Sequence, residues 1–208
     1  GLASPQPNFA ALVEEAGSPI FHEEVYAKGP LYAPRSQVRE FREVDFASAP
    51  VTADPALFFD AQYDAVLAAL IDHAVRQEGP ILERTLSRRI ARAHGWLRTG
   101  GRIHERVMQL ALVRQRYERD GEERCFWPEG LNAATCRFRP PPSGNAREIE
   151  ELARAELVAL AREVGVLEQS LTVEQGVEAM LRQLGMKRAR AATKAMLSAI
   201  SASTGAGG

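Results

Sequence analysis

From Tyr63 onward the apolar positions fall into a helical rhythm. Tyr63, Val66, Leu67, Leu70, Ile71, Ala74 and Val75 recur at three- and four-residue spacings, which gives a helix one broad apolar face. Asp60 stands where an N-cap belongs, and Gly79-Pro80 ends the pattern. Ile81-Leu82 reads as a very short strand. Leu86, Ile90 and Ala93 outline a second helix closed at Gly95, a position suited to a left-handed C-cap glycine. Thr99 offers an N-cap to a third helix, which carries Ile103, Val107, Leu110 and Tyr117 to about Glu118. The pattern then shortens. Arg124 to Pro128 and Thr135 to Arg139 read as two strands around a turn at Glu129 to Asn132, a hairpin closed by Pro140-Pro141-Pro142-Ser143-Gly144. Helix, short strand, helix, tight turn, helix and hairpin is the order of a winged helix, a helix-turn-helix variant.

The rest of the chain predicts helices near Ile149–Val164, Val173–Leu184 and Ala189–Ile200. Sliding this segment back by ninety positions sets Leu157 on Leu67, Leu160 on Leu70, Val164 on Ala74, Leu171 on Ile81 and Met180 on Ile90. Gly185 meets Gly95, Arg188 meets Arg98, and Ile200 meets Leu110. Both halves thus read helix, link, helix, Gly-x-x-Arg, helix. The expected fold class is mainly α with a small β-hairpin: a winged-helix or helix-turn-helix unit over 58–142, then a second, wingless helical unit over 143–201. Residues 1–57 carry seven prolines and read as an irregular arm, with a short helix at Phe9–Ala16 and an extended stretch at Val38–Phe46. Residues 202–208 read as a flexible tail.

Composition adds limits. Of the 208 residues, 45% are hydrophobic and 25% charged, the proportions of an ordinary globular protein. The longest apolar run, Ala65 to Ile71, has seven residues, against roughly 20 for a membrane helix. No basic region followed by a long apolar core stands near the start, so no secretory signal is read and no membrane partner is expected. Cys125 and Cys136 fall near each other across the expected hairpin and are read as free thiols rather than a disulfide, in keeping with a cytoplasmic setting.

The net charge of −1 conceals a gradient. Residues 1–60 hold four basic and nine acidic side chains, 61–139 hold fourteen and ten, and 140–208 hold eight of each. Between Arg84 and Arg119 ten arginines face only Glu105 and Glu118, a concentrated positive block.

Catalytic signatures are missing. Lysine occurs only at 28, 187 and 194, without a phosphate-cradling G-x-x-x-x-G-K-[ST] loop. His104-Glu105 lacks the second histidine of a zinc-binding helix, and no G-x-S-x-G elbow occurs. The expectation is a chain with no active site of its own, no cofactor and no metal.

Glu78-Gly79-Pro80-Ile81, Arg89-Ile90-Ala91-Arg92-Ala93-His94-Gly95, Arg98-Thr99-Gly100, Arg102-Ile103 and Phe126-Trp127-Pro128, with Glu156-Leu157 and Leu184-Gly185-Met186-Lys187-Arg188 further on, resemble a bacterial domain of unknown function. That domain stands at the C-terminal end of large superfamily-one DNA helicase-related proteins. The resemblance spans about Phe58 to Ile200. It implies an accessory module whose ATPase motor, and often a nuclease-like domain, lie elsewhere in the polypeptide and are its partners. It brings no catalytic residues with it.

The candidate binding residues follow from the arginine block. Thr99, Gly100 and Gly101 at the start of the third helix, flanked by Arg98 and Arg102, suit an anion, because helix starts offer unpaired N–H donors and partial positive charge. The same glycines also suit a plain tight turn between packed helices. Arg102, Arg106, Gln109 and Arg116 are expected on the outer face of that helix, where arginine and glutamine can read base edges. A solvated face is the alternative. Arg124, Arg137 and Arg139 on the hairpin are placed as a wing that grips DNA, with backbone contacts outnumbering base-specific ones. The functional expectation is a DNA-binding accessory module, and the alternative is a docking scaffold without nucleic-acid contact.

Overall fold

The first helix begins where the apolar rhythm begins. In the computed structural model, which describes residues 40–167 and 171–205, a single 3-10 turn at Ala61–Tyr63 leads into α1 (Asp64–Glu78). Strand β1 (Ile81–Leu82), α2 (Glu83–Ala93) and α3 (Gly101–Arg114) follow, then strands β2 (Arg116–Asp120) and β3 (Glu123–Trp127). The second half contains α4 (Arg154–Leu167), α5 (Val173–Gln183) and α6 (Ala191–Gly205). The fold is mainly helical with one small antiparallel sheet of order β1-β3-β2. The expected helix at Phe9–Ala16 lies outside the described residues.

Three local expectations are corrected. The third helix stops at Arg114 rather than Glu118, because Gln115 turns extended (φ −105°, ψ 144°) and the chain enters β2. The hairpin therefore joins β2 to β3, with Tyr117 opposite Phe126 and Asp120 opposite Glu123 across the two residues Gly121-Glu122. Gly121 has φ +63°, as the tight hairpin turns require, and Asp-Gly is the sequence sign of such a turn. Thr135 to Arg139 is no strand. Its backbone is satisfied elsewhere: Thr135 N–H donates to the Asn132 side chain at 3.0 Å, and Arg139 N–H donates to Glu156 at 3.1 Å. At the other end, α6 runs through Ser201–Gly205, where a flexible tail was expected to begin. The Ser203 hydroxyl donates back to the Ile200 carbonyl at 2.7 Å.

The ninety-residue repeat reappears in the backbone. Helices α4, α5 and α6 start ninety positions after α1, α2 and α3, at Arg154, Val173 and Ala191 against Asp64, Glu83 and Gly101. Trp96 N–H donates to the Ala91 carbonyl and Met186 N–H to the Leu181 carbonyl, and Gly95 and Gly185 have φ of +78° and +72°. Each trio closes around its own core, Leu67, Leu70, Ile90 and Val107 in one and Leu157, Leu160, Met180 and Leu197 in the other. A third, smaller cluster of Leu82, Cys125, Trp127 and Ala153 joins the sheet to the start of α4. Alternation along β3 sends Phe126 into the first core and its neighbours Cys125 and Trp127 to the opposite side, where α4 covers them. Both faces of β3 are buried. Both cysteines are free.

Residues 40–57, read from sequence as part of the arm, lie on the first core. Val44 is buried, and Phe46, Ala49, Val51 and Ala53 pack against it. Charge fixes this stretch. Arg89, 2% exposed, donates to Glu78 at 2.9–3.0 Å and to Glu151 at 2.8 Å, with Glu43 at 3.3 Å. Burial works against the Arg89 charge, and the hydrogen bonds and fields of Glu78 and Glu151 more than offset it, holding the guanidinium above its ordinary value. A second centre surrounds Glu156, which is fully buried and accepts from Arg139 at 3.1 Å and from Arg147. Arg139 also donates to the carbonyls of Glu78 and Gly79 at 2.7 and 3.1 Å, satisfying acceptors left open at the end of α1. Gly79 is required there, since a Cβ would sit 2.4 Å from the Val75 carbonyl and 2.7 Å from Pro128.

Two stability measurements test this account. Arg89→Met is expected to cost about 3–5 kcal/mol in urea unfolding, because Glu78 is left buried and unpaired. Adding Glu78→Gln should recover part of that loss, and a cost below about 1 kcal/mol for the single change would refute the assignment. His94 provides the second test. It is buried, its Nδ1–H donates to the Ile90 carbonyl at 2.7 Å, and its Nε2 accepts from the Tyr63 hydroxyl at 3.0 Å. Burial depresses its pKa below the ordinary 6.5. The unfolded chain thus binds the proton more readily, and the His94 contribution is present above pH 6.5 and lost as pH falls through the depressed value. Thermal unfolding should show a melting temperature that falls from pH 7.5 to pH 5, and His94→Gln should flatten that slope.

Candidate functional site

The turn between α2 and α3 is built by a helix end that folds back on itself. After Gly95 reverses the chain, Trp96 stacks on His94 with ring centroids 5.4 Å apart and meets Phe58 edge-on at 5.0 Å. The next residue, Leu97, is left in solvent at 96% exposure. Thr99 was expected to cap α3, yet the N-cap is Gly100, whose carbonyl accepts from the Ile103 and His104 N–H groups at 3.1 Å. Thr99 stands one residue outside the position from which a hydroxyl can cap. A Cβ on Gly100 or Gly101 would meet nothing within 4 Å, so no side chain screens the start of α3.

The ten residues proposed from sequence divide into two sets. Arg98, Thr99, Gly100, Gly101, Arg102 and Gln109 are exposed along this turn and the outer side of α3. Arg102 lies over the Phe59 ring, 4.7 Å from its centroid. Arg106 does not point outward: it donates to the Asp60 carbonyl at 2.9 Å and pairs with Asp64 at 2.5 Å. Arg124 pairs with Glu83 at 2.8 Å, and Arg139 is engaged by Glu156 and the end of α1. Arg137 is exposed on the irregular segment, where its charge acts on Glu163. Arg116, expected beside Arg102 on one helix face, lies on β2 and pairs with Glu118 at 3.7 Å.

The positive block is therefore compensated in space. Of its ten arginines, seven have a carboxylate within 4 Å among the described residues: Arg84, Arg88, Arg89, Arg92, Arg106, Arg114 and Arg116. Apart from Glu118, the acids come from outside the block, at Glu43, Asp64, Asp72, Glu78, Glu123 and Glu151. This region also exposes apolar side chains. Phe59 at 48% and Leu57 at 45% join Leu97 in solvent beside the Phe58–Trp96 contact. These three escaped the sequence reading, although a leucine between Trp96 and Arg98, outside any helical rhythm, was a visible sign.

On its other side the start of α3 borders an open cleft of about 510 Å³ lined by Arg84, Arg88, Ser87, His104, Glu123 and Glu150. Two arginines and two carboxylates leave it without a strong field. The Ser87 hydroxyl donates to the Glu83 carbonyl at 2.9 Å and meets His104 Nδ1 at 2.9 Å. The single hydroxyl proton can serve only one of these two neighbours, and the Glu83 carbonyl can act only as an acceptor. Burial pushes the Cys136 thiol up to about 12 and Cys125 higher still, away from the thiolate form. Among the described residues no group of His, Cys, Asp and Glu is spaced to hold a metal ion, and no helix is long and apolar enough to cross a membrane.

Residues 56–105, from the turn before α1 to the start of α3, match the family described as protein of unknown function (DUF3320). No curated protein and no solved structure matches the chain. The likeness to a domain of unknown function is thus found over the segment that builds the α2–α3 turn.

The two kinds of arginine separate in a thermal melt. Arg106→Glu sets a carboxylate against Asp64 and two carbonyls and is expected to cost about 1–3 kcal/mol, whereas Arg102→Glu should leave the melting temperature nearly unchanged. Equal effects would show that Arg106 is a surface group.

Proposed function

We propose that the chain is a non-catalytic accessory module that docks a protein partner through the α2–α3 turn, within a helicase-related polypeptide of the kind its motifs resemble. The observation that carries this reading is Leu97, an apolar side chain 96% exposed at a turn rigidly held by Gly95 and Trp96. Phe59 and Leu57 are further exposed apolar side chains on either side of Phe58, which meets Trp96, and Arg98 and Arg102 belong to the same turn as Leu97. Such a surface fits an apolar partner face bordered by carboxylates, because burying the leucine and phenylalanine supplies the affinity and the rim charges set the orientation. The element order helix, strand, helix, helix and hairpin supports reading the first half as a winged helix, a scaffold suited to presenting this turn. The ion pairs of Arg124 and Arg139, which already have carboxylate partners, argue against a DNA-gripping wing.

Nucleic-acid binding at the same turn is a second reading, favoured by Arg98 and Arg102 beside the unscreened start of α3. Titration against the motor region of the parent polypeptide distinguishes the two. Docking predicts that Phe59→Asp with Leu97→Asp weakens this association at least tenfold without lowering the melting temperature. If the motor region is not bound, or the double variant binds it equally well, docking through this turn is wrong. Oligonucleotide binding that disappears in Arg98→Glu with Arg102→Glu would install the second reading.

A further inference from the structure

We infer that the start of α6 is a binding surface for the phosphate backbone of duplex nucleic acid, formed by Lys187, Arg188, Arg190 and Lys194. This surface is separate from the α2–α3 turn and does not rest on the docking reading. It occupies the equivalent place in the second trio. All four side chains belong to exposed residues, and none has a carboxylate within 4 Å among the described residues. The contrast with the first trio is one of composition as well as geometry: no aspartate or glutamate follows Glu178 in the sequence, whereas Glu105 lies on the outer side of α3.

The platform beneath these cations is fixed. Gly185 turns at φ +72°, and a Cβ there would lie 2.2 Å from the Asn145 carbonyl. Arg147 N–H donates to the Leu184 carbonyl at 3.0 Å, and Met186 N–H to the Leu181 carbonyl at 2.9 Å. A turn pinned in this way presents its charges with little ordering cost on binding. The Arg190 carbonyl accepts the Lys194 N–H at 3.0 Å, so the first turn of α6 follows directly, with the exposed alanines Ala191 and Ala192 leaving its N–H end open. A positive helix end ringed by uncompensated cations suits phosphate oxygens.

The neighbouring surface selects the form of polyanion. No aromatic residue follows Phe138, so the second trio has no ring on which unpaired bases could stack, and single strands lack their usual platform. The outward positions of α6 are mostly alanine and serine, with Met196 the one large exposed apolar side chain, too little to anchor a helix in a bilayer surface. The exposed alanines of α6 carry no hydrogen-bonding side chain, so base edges meet little there and the proposed contact is with the backbone.

The test is fluorescence anisotropy of a labelled 20-base-pair duplex with the full chain. Four cations should give a salt slope near −3.6, so affinity falls on the order of a hundredfold between 50 and 200 mM salt. Replacing Lys187, Arg188, Arg190 and Lys194 together by Gln should weaken binding at 50 mM salt more than tenfold at an unchanged melting temperature. Arg98→Gln with Arg102→Gln should bind as the parent does. The inference fails if the parent chain does not bind the duplex at 50 mM salt, or if the quadruple variant binds undiminished. It also fails if a single strand is preferred, or if phosphatidylserine vesicles are bound and the duplex is not. Should the quadruple variant unfold, the parent's salt slope decides, and a slope near zero overturns the inference.

Discussion

A guanidinium taken out of water must be met by carboxylates, and Arg89 is met by three that come from distant parts of the chain. Glu78 ends α1, Glu43 precedes it, and Glu151 leads into the second trio. Removing an ion from water costs several kcal/mol, and only close, well-hydrogen-bonded partners offset that cost. Any arrangement that displaces one of the three segments leaves charge bare in a low-dielectric interior. The Arg89 centre therefore acts less as a source of net stability than as a constraint on how segments assemble. Glu156 does the same from the other side, binding Arg139 and Arg147 while Arg139 reaches the last carbonyls of α1.

These centres account for part of the segment that matches the family model, where Glu78 and Arg89 are partners. Beyond that segment Pro128 packs against Gly79, Phe126 and Trp127 fill opposite sides of β3, and Glu156 closes the second centre. All of these residues are architectural. Surface chemistry lies between them, on turns that the ion pairs hold in place. The matched family segment, residues 56–105, contains Glu78 and Arg89 together with the exposed turn they support.

The repeated trio shows how one scaffold serves two surfaces. Both copies close their second helix with a left-handed glycine and the same backbone bonds, and both start their third helix at the equivalent residue. They differ in what surrounds that turn. In the first copy the flanking Arg92 and Arg106 have acids to pair with, and Leu97 is the most exposed of the large hydrophobic side chains among the described residues. In the second, the sequence after Glu178 contains no acid, and the cations remain without carboxylate partners. An accessory module with one apolar and one cationic turn is suited to bridging a protein and a polyanion.

The sequence alone determined the helices, the glycines that end them and the repeat, because helical periodicity and turn geometry are set by residues within a few positions of one another. It also contained the Asp120-Gly121 turn sign, which the helical spacing of Tyr117 obscured. The fate of the arginines was beyond its reach. Arg88 finds Glu151 across 63 positions and Arg139 finds the Glu78 carbonyl across 61, contacts that no local pattern encodes. The burial of Trp127 was equally nonlocal, since alternation along β3 assigns it to the face away from the first core, and only the arrival of α4 covers that face. Local rules fixed where each element lies, while the cost of burying charge and apolar surface between distant elements decided which arginines remain to meet a partner.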